Sequence, residues 1–383
     1  MTTKTFNFLQ RVKNLRNEMS KKNIFVSLVW DPDNQYYLSG FRAISYTRPI
    51  LLFVYEDKLE YIIPALEELH AKEKSLADIH HVYYEQNNYI GKQVTYHHHF
   101  QEIIQSWPKN VKVGLEKSIV PASVYDDLLK IGAEVVSIDQ DLINLRAIKD
   151  ENEMKWLEEA GWLSDVAITE SLKNVQAGIS ELEFDAIGDY KLLNVAAEKY
   201  PNTVVGYENW TCSGIERSVM PHLYSGTRKF QNGDVVIHSR QVWVNGYRAE
   251  NERTFFIGTP NNEQRYLFDL AIEAQRVGIE MIKPGVLAKD VDIASFEVFA
   301  KAGYGDYVNH RIGHGLGLSE HEEPYLRFDN DLILQEGMVY TIEPGVYVPG
   351  IGGFRHSDTV ILTKNGCKTI TNYPRLADDL IFS

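Results

Sequence analysis

The run His310-Arg311-Ile312-Gly313-His314-Gly315-Leu316-Gly317-Leu318-Ser319-Glu320-His321-Glu322 constrains this chain more than any other stretch. Its histidines fall four and seven residues apart. Histidine moves protons near neutral pH and is a common metal ligand. The interleaved glycines let backbone come close to a reacting group. Farther on, Thr341-Ile342-Glu343-Pro344-Gly345 reads as a buried strand that ends in a carboxylate.

At 383 residues the chain is long for one core, so two domains are expected. Its 44% hydrophobic and 24% charged content are those of a soluble globular protein. The net charge of −14, from 39 basic and 53 acidic residues, argues against nucleic acid or anionic membrane as a partner. Cys212 and Cys367 are too few for a disulfide framework or a cysteine zinc site. The opening residues Met1 to Phe6 lack the apolar core of a signal peptide, and no apolar run reaches membrane-spanning length. A cytoplasmic protein is the expectation.

Residues 6–22 space their apolar side chains as an amphipathic helix. A strand is expected at 24–29, closed by turn chemistry at Asp31-Pro32-Asp33-Asn34. A hairpin fits 50–55 and 59–63, and short strands at 111–115 and 133–136 flank a helix near 122–130. His97-His98-His99 reads as a solvated loop. A long helix is expected from Leu145 to about Val175, which places the domain junction near 145. Beyond it, helices fit 181–199, 262–283 and 288–302, and strands fit 234–247, 251–258, 337–347 and 354–363.

Several landmarks fall in an order that resembles the pita-bread hydrolases: methionine aminopeptidase, aminopeptidase P, prolidase and creatinase. They are Asn34-Gln35-Tyr36-Tyr37-Leu38-Ser39-Gly40-Phe41, then Leu145-Arg146-Ala147-Ile148-Lys149, Gly178-Ile179-Ser180-Glu181, and the histidine run. The resemblance implies an α/β (α+β) chain. A creatinase-like mixed α/β domain would occupy residues 1–145. A pita-bread domain with a curved antiparallel sheet would occupy 146–383. It also implies a homodimer, in which Arg42 and Arg48 could reach the partner's pocket.

Two-metal members of this family use two aspartates, a histidine and two glutamates. By resemblance these positions fall on Ser239, Glu250, His314, Glu343 and Ser357. Two divalent ions bring four positive charges, and these positions supply only two carboxylates. Serine is a poor ligand for a hard divalent ion. The sequence therefore leads to the expectation of no resident metal. A single manganese, cobalt or zinc ion on Glu250, His314 and Glu343 remains chemically open. A slip of register would bring in His238 or Asp358.

Glu252-Arg253-Thr254 is similar to the motif of creatinase, the branch that works without metal. Glu250 and Glu252 alternate onto one strand face and can hold a cationic group or share a proton. By the same resemblance, His222 is the acid–base residue, and His310 and His321 support it. Arg355 orders the carboxylates. Glu252 and Glu343 hold the substrate, with Glu250, Tyr325 and Phe41 lining its pocket. Tyr325 stands where creatinase carries its carboxylate-binding arginine, and Arg327 is out of register, so creatine itself is not expected.

These readings favour a hydrolase that cleaves a C–N bond of a small nitrogenous substrate through histidine and glutamate. The alternative is a metal-dependent Xaa-Pro dipeptidase or aminopeptidase acting on a dipeptide-like substrate. A non-catalytic pita-bread binding module is the third.

Overall fold

A computed structural model describes residues 7–44, 46–85 and 95–382. The chain divides into two compact units, residues 1–146 and 147–383.

The first unit is built on one six-stranded sheet. It begins with α1 (Phe8–Lys21), β1 (Val26–Val29), α2 (Pro32–Ser39), β2 (Leu51–Tyr55) and β3 (Leu59–Pro64). There follow α3 (Glu68–Lys74), β4 (Ile79–Tyr83), α4 (Tyr96–Gln105), β5 (Lys112–Leu115), α5 (Ala122–Lys130), β6 (Glu134–Ser137) and α6 (Asp139–Ala147). The strand order is β4-β3-β2-β1-β5-β6, antiparallel around the β2 hairpins and parallel at both edges. Asp31 does not close a turn, as its neighbours Pro32 and Asn34 suggested. Its side chain caps α2 by accepting from the Asp33 and Asn34 amides, with Pro32 in the first turn. Gly40 ends that helix at φ +82°, a conformation glycine takes without strain. His97 to His99 lie in α4 rather than in a loop.

The second unit opens with α7 (Glu151–Lys173), α8 (Glu181–Lys199), β7 (Val205–Ser213), α9 (Ile215–Ser218), β8 (Val235–Val244) and β9 (Tyr247–Ile257). It continues through α10 (Asn262–Met281), α11 (Ala288–Lys301), β10 (Gly313–Gly315), β11 (Glu322–Leu326) and β12 (Val339–Ile342). The last strands are β13 (Gly345–Val348), β14 (Gly352–Arg355), β15 (Ser357–Thr363), β16 (Gly366–Thr369) and β17 (Ile381–Phe382). Its main sheet runs β11-β10-β12-β15-β9-β8-β7 and is antiparallel along this path, the curled sheet of a pita-bread domain.

Three expectations need correction. The long helix starts at Glu151, not Leu145, because Asp150 and Glu153 form a capping box that fixes its first turn. The strand expected at 337–347 breaks at Glu343-Pro344: β12 stays in the main sheet, and β13 pairs with β14 in a separate ribbon. Proline has no N–H to continue a ladder. The strands expected at 234–247 and 251–258 are one long hairpin. Its turn is Asn245-Gly246, both at positive φ, the signature of a tight two-residue connection.

Packing decides which face of β9 carries chemistry. Asn251 bonds Asp165 of α7 at 2.7 Å, and Arg253 pairs with Asp358 at 2.9 Å. Phenylalanines 184, 230, 255, 256 and 268 share a buried cluster. Each such ring contributes roughly 1.5–3 kcal/mol on burial. Glu250 and Glu252 alternate with Asn251 and Arg253 and so project from the opposite face.

Candidate active site

Glu250 and Glu252 sit mid-strand on β9, with Gln241 and Ser239 facing them in register from β8. On the other side, Ser357 of β15 also pairs with Glu252. His314 comes from β10, and Glu343 follows directly on β12. Arg355 closes β14, the strand before Ser357. Side chains scattered from Ser239 to Ser357 thus meet because neighbouring strands of the sheet bring them side by side.

Glu250 is the most fully satisfied carboxylate. The Ser357 hydroxyl donates to its Oε1 at 2.6 Å, and Gln241 Nε2 donates to its Oε2 at 2.8 Å. Burial alone would raise its pKa, but these bonds and the nearby His314 hold it down at about 2. Glu252 Oε1 is bound by Arg355 Nη2 at 2.5 Å, while its Oε2 is buried without a hydrogen bond. Burial pushes its pKa up, against the pull of Arg355. Glu343 is driven up to about 8, by burial and then by the charge of Glu250.

His314 is fully buried. Its Nδ1 donates to the Gly315 carbonyl at 2.9 Å, which turns Nε2 toward the carboxylates. Nε2 lies 3.3 Å from Glu343 Oε1 and 3.7 Å from Glu250 Oε2 and completes no hydrogen bond. Burial would lower its pKa, but Glu250 and Glu343 outweigh that and raise it. Its ring stacks on His321 at 3.8 Å. His321 is held down at about 4, first by partial burial and then by the charge of His314.

His310 Nε2 and the Tyr347 hydroxyl meet at 2.8 Å, and Arg355 Nη1 donates to the same hydroxyl at 3.4 Å. Burial beside Arg355 lowers the His310 pKa to about 4. His222, exposed on the loop after α9, feels the charges of Arg355 and Glu250. Partial burial, then Arg355, lower its pKa and favour the neutral ring.

The structure thus gathers Glu250, Glu252, His314, Glu343, Arg355, His310 and His321, and sets His222 within their field. It removes others. Phe41 is a core residue of the first unit, edge-on to Tyr61 and His70, so its assignment to the substrate pocket fails. Arg42 pairs with Asp33 and Arg48 with Glu85. His238 points to the far face, bonded to Thr211 at 2.9 Å. Asp358 is bound there by Arg253 and Arg375. Neither can join the site by a slip of register. Arg327 is paired with Asp329. Tyr325 lies under the Arg311 guanidinium, 4.3 Å from centroid to Cζ. Tyr347 and Gln241 were missed: each is an unremarkable strand residue in sequence, and only strand pairing brings it to the cluster.

Does a metal fit? A two-ion centre does not. Ser239 and Ser357 stand where carboxylates are needed. The carboxylates already have partners: Arg355 binds Glu252, His314 lies beside Glu250 and Glu343, and burial with the Glu250 charge raises the pKa of Glu343 to about 8. A single ion does fit. Ligand atoms of Glu250, Glu252 and Glu343 lie within 4.8 Å of one another, as do those of Glu250, His314 and His321. The unbonded His314 Nε2 and Glu252 Oε2 are buried atoms that such an ion would satisfy.

Residues 155–364 match metallopeptidase family M24, and residues 11–148 match the creatinase/prolidase N-terminal domain. The chain is 32% identical over 368 residues to the Xaa-Pro dipeptidase of Pyrococcus horikoshii, covering 96% of this chain and 98% of that one. It is 31% identical over 370 residues to the Xaa-Pro dipeptidase of Pyrococcus furiosus, at 96% and 99% coverage. The prolidase structure from Thermococcus sibiricus superposes with a TM-score of 0.87 at 29% identity, covering 99% of this chain and all of that one. The chain therefore belongs to the M24 metallopeptidase family, the pita-bread hydrolases of C–N bonds that include aminopeptidase P and prolidase.

Proposed function

We propose that this chain hydrolyses the peptide C–N bond of a small dipeptide-like substrate of the Xaa-Pro kind, at a site that holds one divalent ion rather than two. The observation that carries this is the buried, unbonded His314 Nε2 set between Glu343 and Glu250. A metal-free hydrolase, the first expectation from sequence, yields to this reading in view of the family and of that donor set.

Glu250, His314 and Glu343 would hold the ion, manganese, cobalt or zinc. Bound there it supplies Lewis-acid polarisation of a carbonyl and acidification of water. The other steps belong to side chains. His222, neutral near pH 7, takes a proton from the attacking water and returns it to the leaving nitrogen. Arg355 fixes Glu252, leaving one carboxylate oxygen free for a substrate N–H or ammonium. His310 is steered by Tyr347, so its ring orientation is set before substrate arrives.

A second reading keeps the same residues and dispenses with metal. It is favoured by Ser239 and Ser357, and by the partners that the carboxylates already have. Hydrolysis of Xaa-Pro dipeptides, with chelator and then with each ion restored, separates the two. Loss and recovery of activity support the single-ion reading. Activity indifferent to chelator supports the other.

A further inference from the structure

Arg311 is a cation of the site without a carboxylate partner. Among the described residues no acidic side chain forms an ion pair with it. Arg355, by contrast, is bound to Glu252, and Arg248 faces Glu208 and Glu320. The nearby Asp292 carboxylate accepts the Ile312 amide at 2.8 Å and is not paired with Arg311. The guanidinium is nonetheless held in place. Tyr325 lies beneath it at 4.3 Å, and its Nη2 donates to His321 Nδ1 at 3.4 Å. Nε is buried and makes no hydrogen bond. A buried donor left without a partner is unfavourable until something accepts from it. Most of its N–H donors are thus unspent, on a group whose plane is set by an aromatic ring. His321 in turn stacks on His314 at 3.8 Å, so this guanidinium is one ring away from the reacting cluster.

We infer that Arg311, laid on Tyr325, is the specificity-determining residue that binds a free carboxylate of the substrate. A planar guanidinium fork matches a planar carboxylate in two parallel hydrogen bonds. The other guanidinium of the site, Arg355, is already bound to Glu252. A single fixed cation beside His321 would therefore orient the substrate: its carboxylate on Arg311, its scissile bond toward His314. Substrates would be short acids, and chains extended or blocked at that end would be poor. This rests on the dipeptide reading above.

The test compares alanyl-proline and methionyl-proline with their C-terminal amides, on the wild type, Arg311→Gln and Arg311→Lys. Hydrolysis is followed, and binding is measured by calorimetry with proline and prolinamide as cleavage-independent probes. Thermal midpoints check folding. We expect wild type to prefer free acids. We expect Arg311→Gln to raise KM for the acids about 10- to 100-fold with little change in kcat, and to erase the preference over amides. Arg311→Lys should recover part of the binding. Acids cleaved without preference over amides, or unaffected by Arg311→Gln, would overturn the inference and leave the dipeptidase reading standing. Proline bound through Arg311, with no dipeptide cleaved, would uphold the inference and overturn that reading. If no acid binds and none is cleaved, both fall.

Discussion

The Ser357 hydroxyl donates to Glu250 Oε1 at 2.6 Å, between the neighbouring central strands β15 and β9. A serine at this point serves a neighbouring carboxylate, where a glutamate would repel it. Together with the Ser239 position, it turns a site arranged for four carboxylates into one whose carboxylates already have partners. The predictions below follow from that change.

Restoring the carboxylates should expose the change. In Ser239→Asp/Ser357→Glu, two more anions enter a buried pocket that holds Glu250, Glu252 and Glu343. Each uncompensated buried charge costs several kcal/mol. The double variant should melt well below the wild type in chelator and regain stability on adding manganese or zinc. Equal midpoints in chelator would show that the pocket tolerates the added charge.

His222→Ala should lower turnover about 10²- to 10⁴-fold, the usual effect of removing a general acid–base, with the melting midpoint nearly unchanged. The pKa of His222 is lowered from 6.5, so the ring is neutral at pH 7 and loses its base function only on acidification. The wild-type kcat/KM profile should therefore fall on the acid side, below pH 6.5. A variant retaining most of its turnover would remove His222 from the mechanism.

Ion uptake should compete with a proton on Glu343. Burial and the Glu250 charge raise its pKa to about 8, and only the carboxylate form is a ligand. Affinity should strengthen as pH rises toward 8 and level off above it, because the protons on Glu343 and on His314, whose pKa is also raised, must leave before an ion binds. Titration calorimetry in buffers of different ionisation enthalpy would count the protons released. PH-independent affinity between 6 and 8 would contradict this.

His356 gives a stability prediction away from the chemistry. It is fully buried against Phe268, with both ring nitrogens unbonded. Burial, and then Arg253 and Arg375, depress its pKa well below 6.5. Below pH 6.5 the unfolded chain binds a proton that the native state excludes, so stability falls as pH drops. The contribution is about 1.4 kcal/mol per pH unit over that window. His356→Leu should flatten the acid limb of stability against pH. An unchanged slope would show that His356 does not carry it.

Much of the fold was legible because its signals are local. Helix α8 follows from the Ser180–Glu183 capping box and its apolar spacing. The pairing of Glu250 with Glu252 follows from strand alternation. The misreadings fall where tertiary packing overrides local pattern. Phe41 sits in a motif that suggested a pocket, yet its ring completes a core. One strand was expected to run from 337 through Glu343 to 347, but Pro344 divides the main-sheet strand β12 from the β13–β14 ribbon. The roles of Gln241 and Tyr347 depend on strand register, which no local pattern encodes.

The number of tightly bound ions tests the account most directly. Elemental analysis of protein purified without chelator, and again after incubation with manganese, cobalt or zinc and desalting, gives that number. The account predicts no more than one equivalent per chain under both conditions, lost in His314→Ala. Two equivalents per chain, with both required for activity, would contradict it.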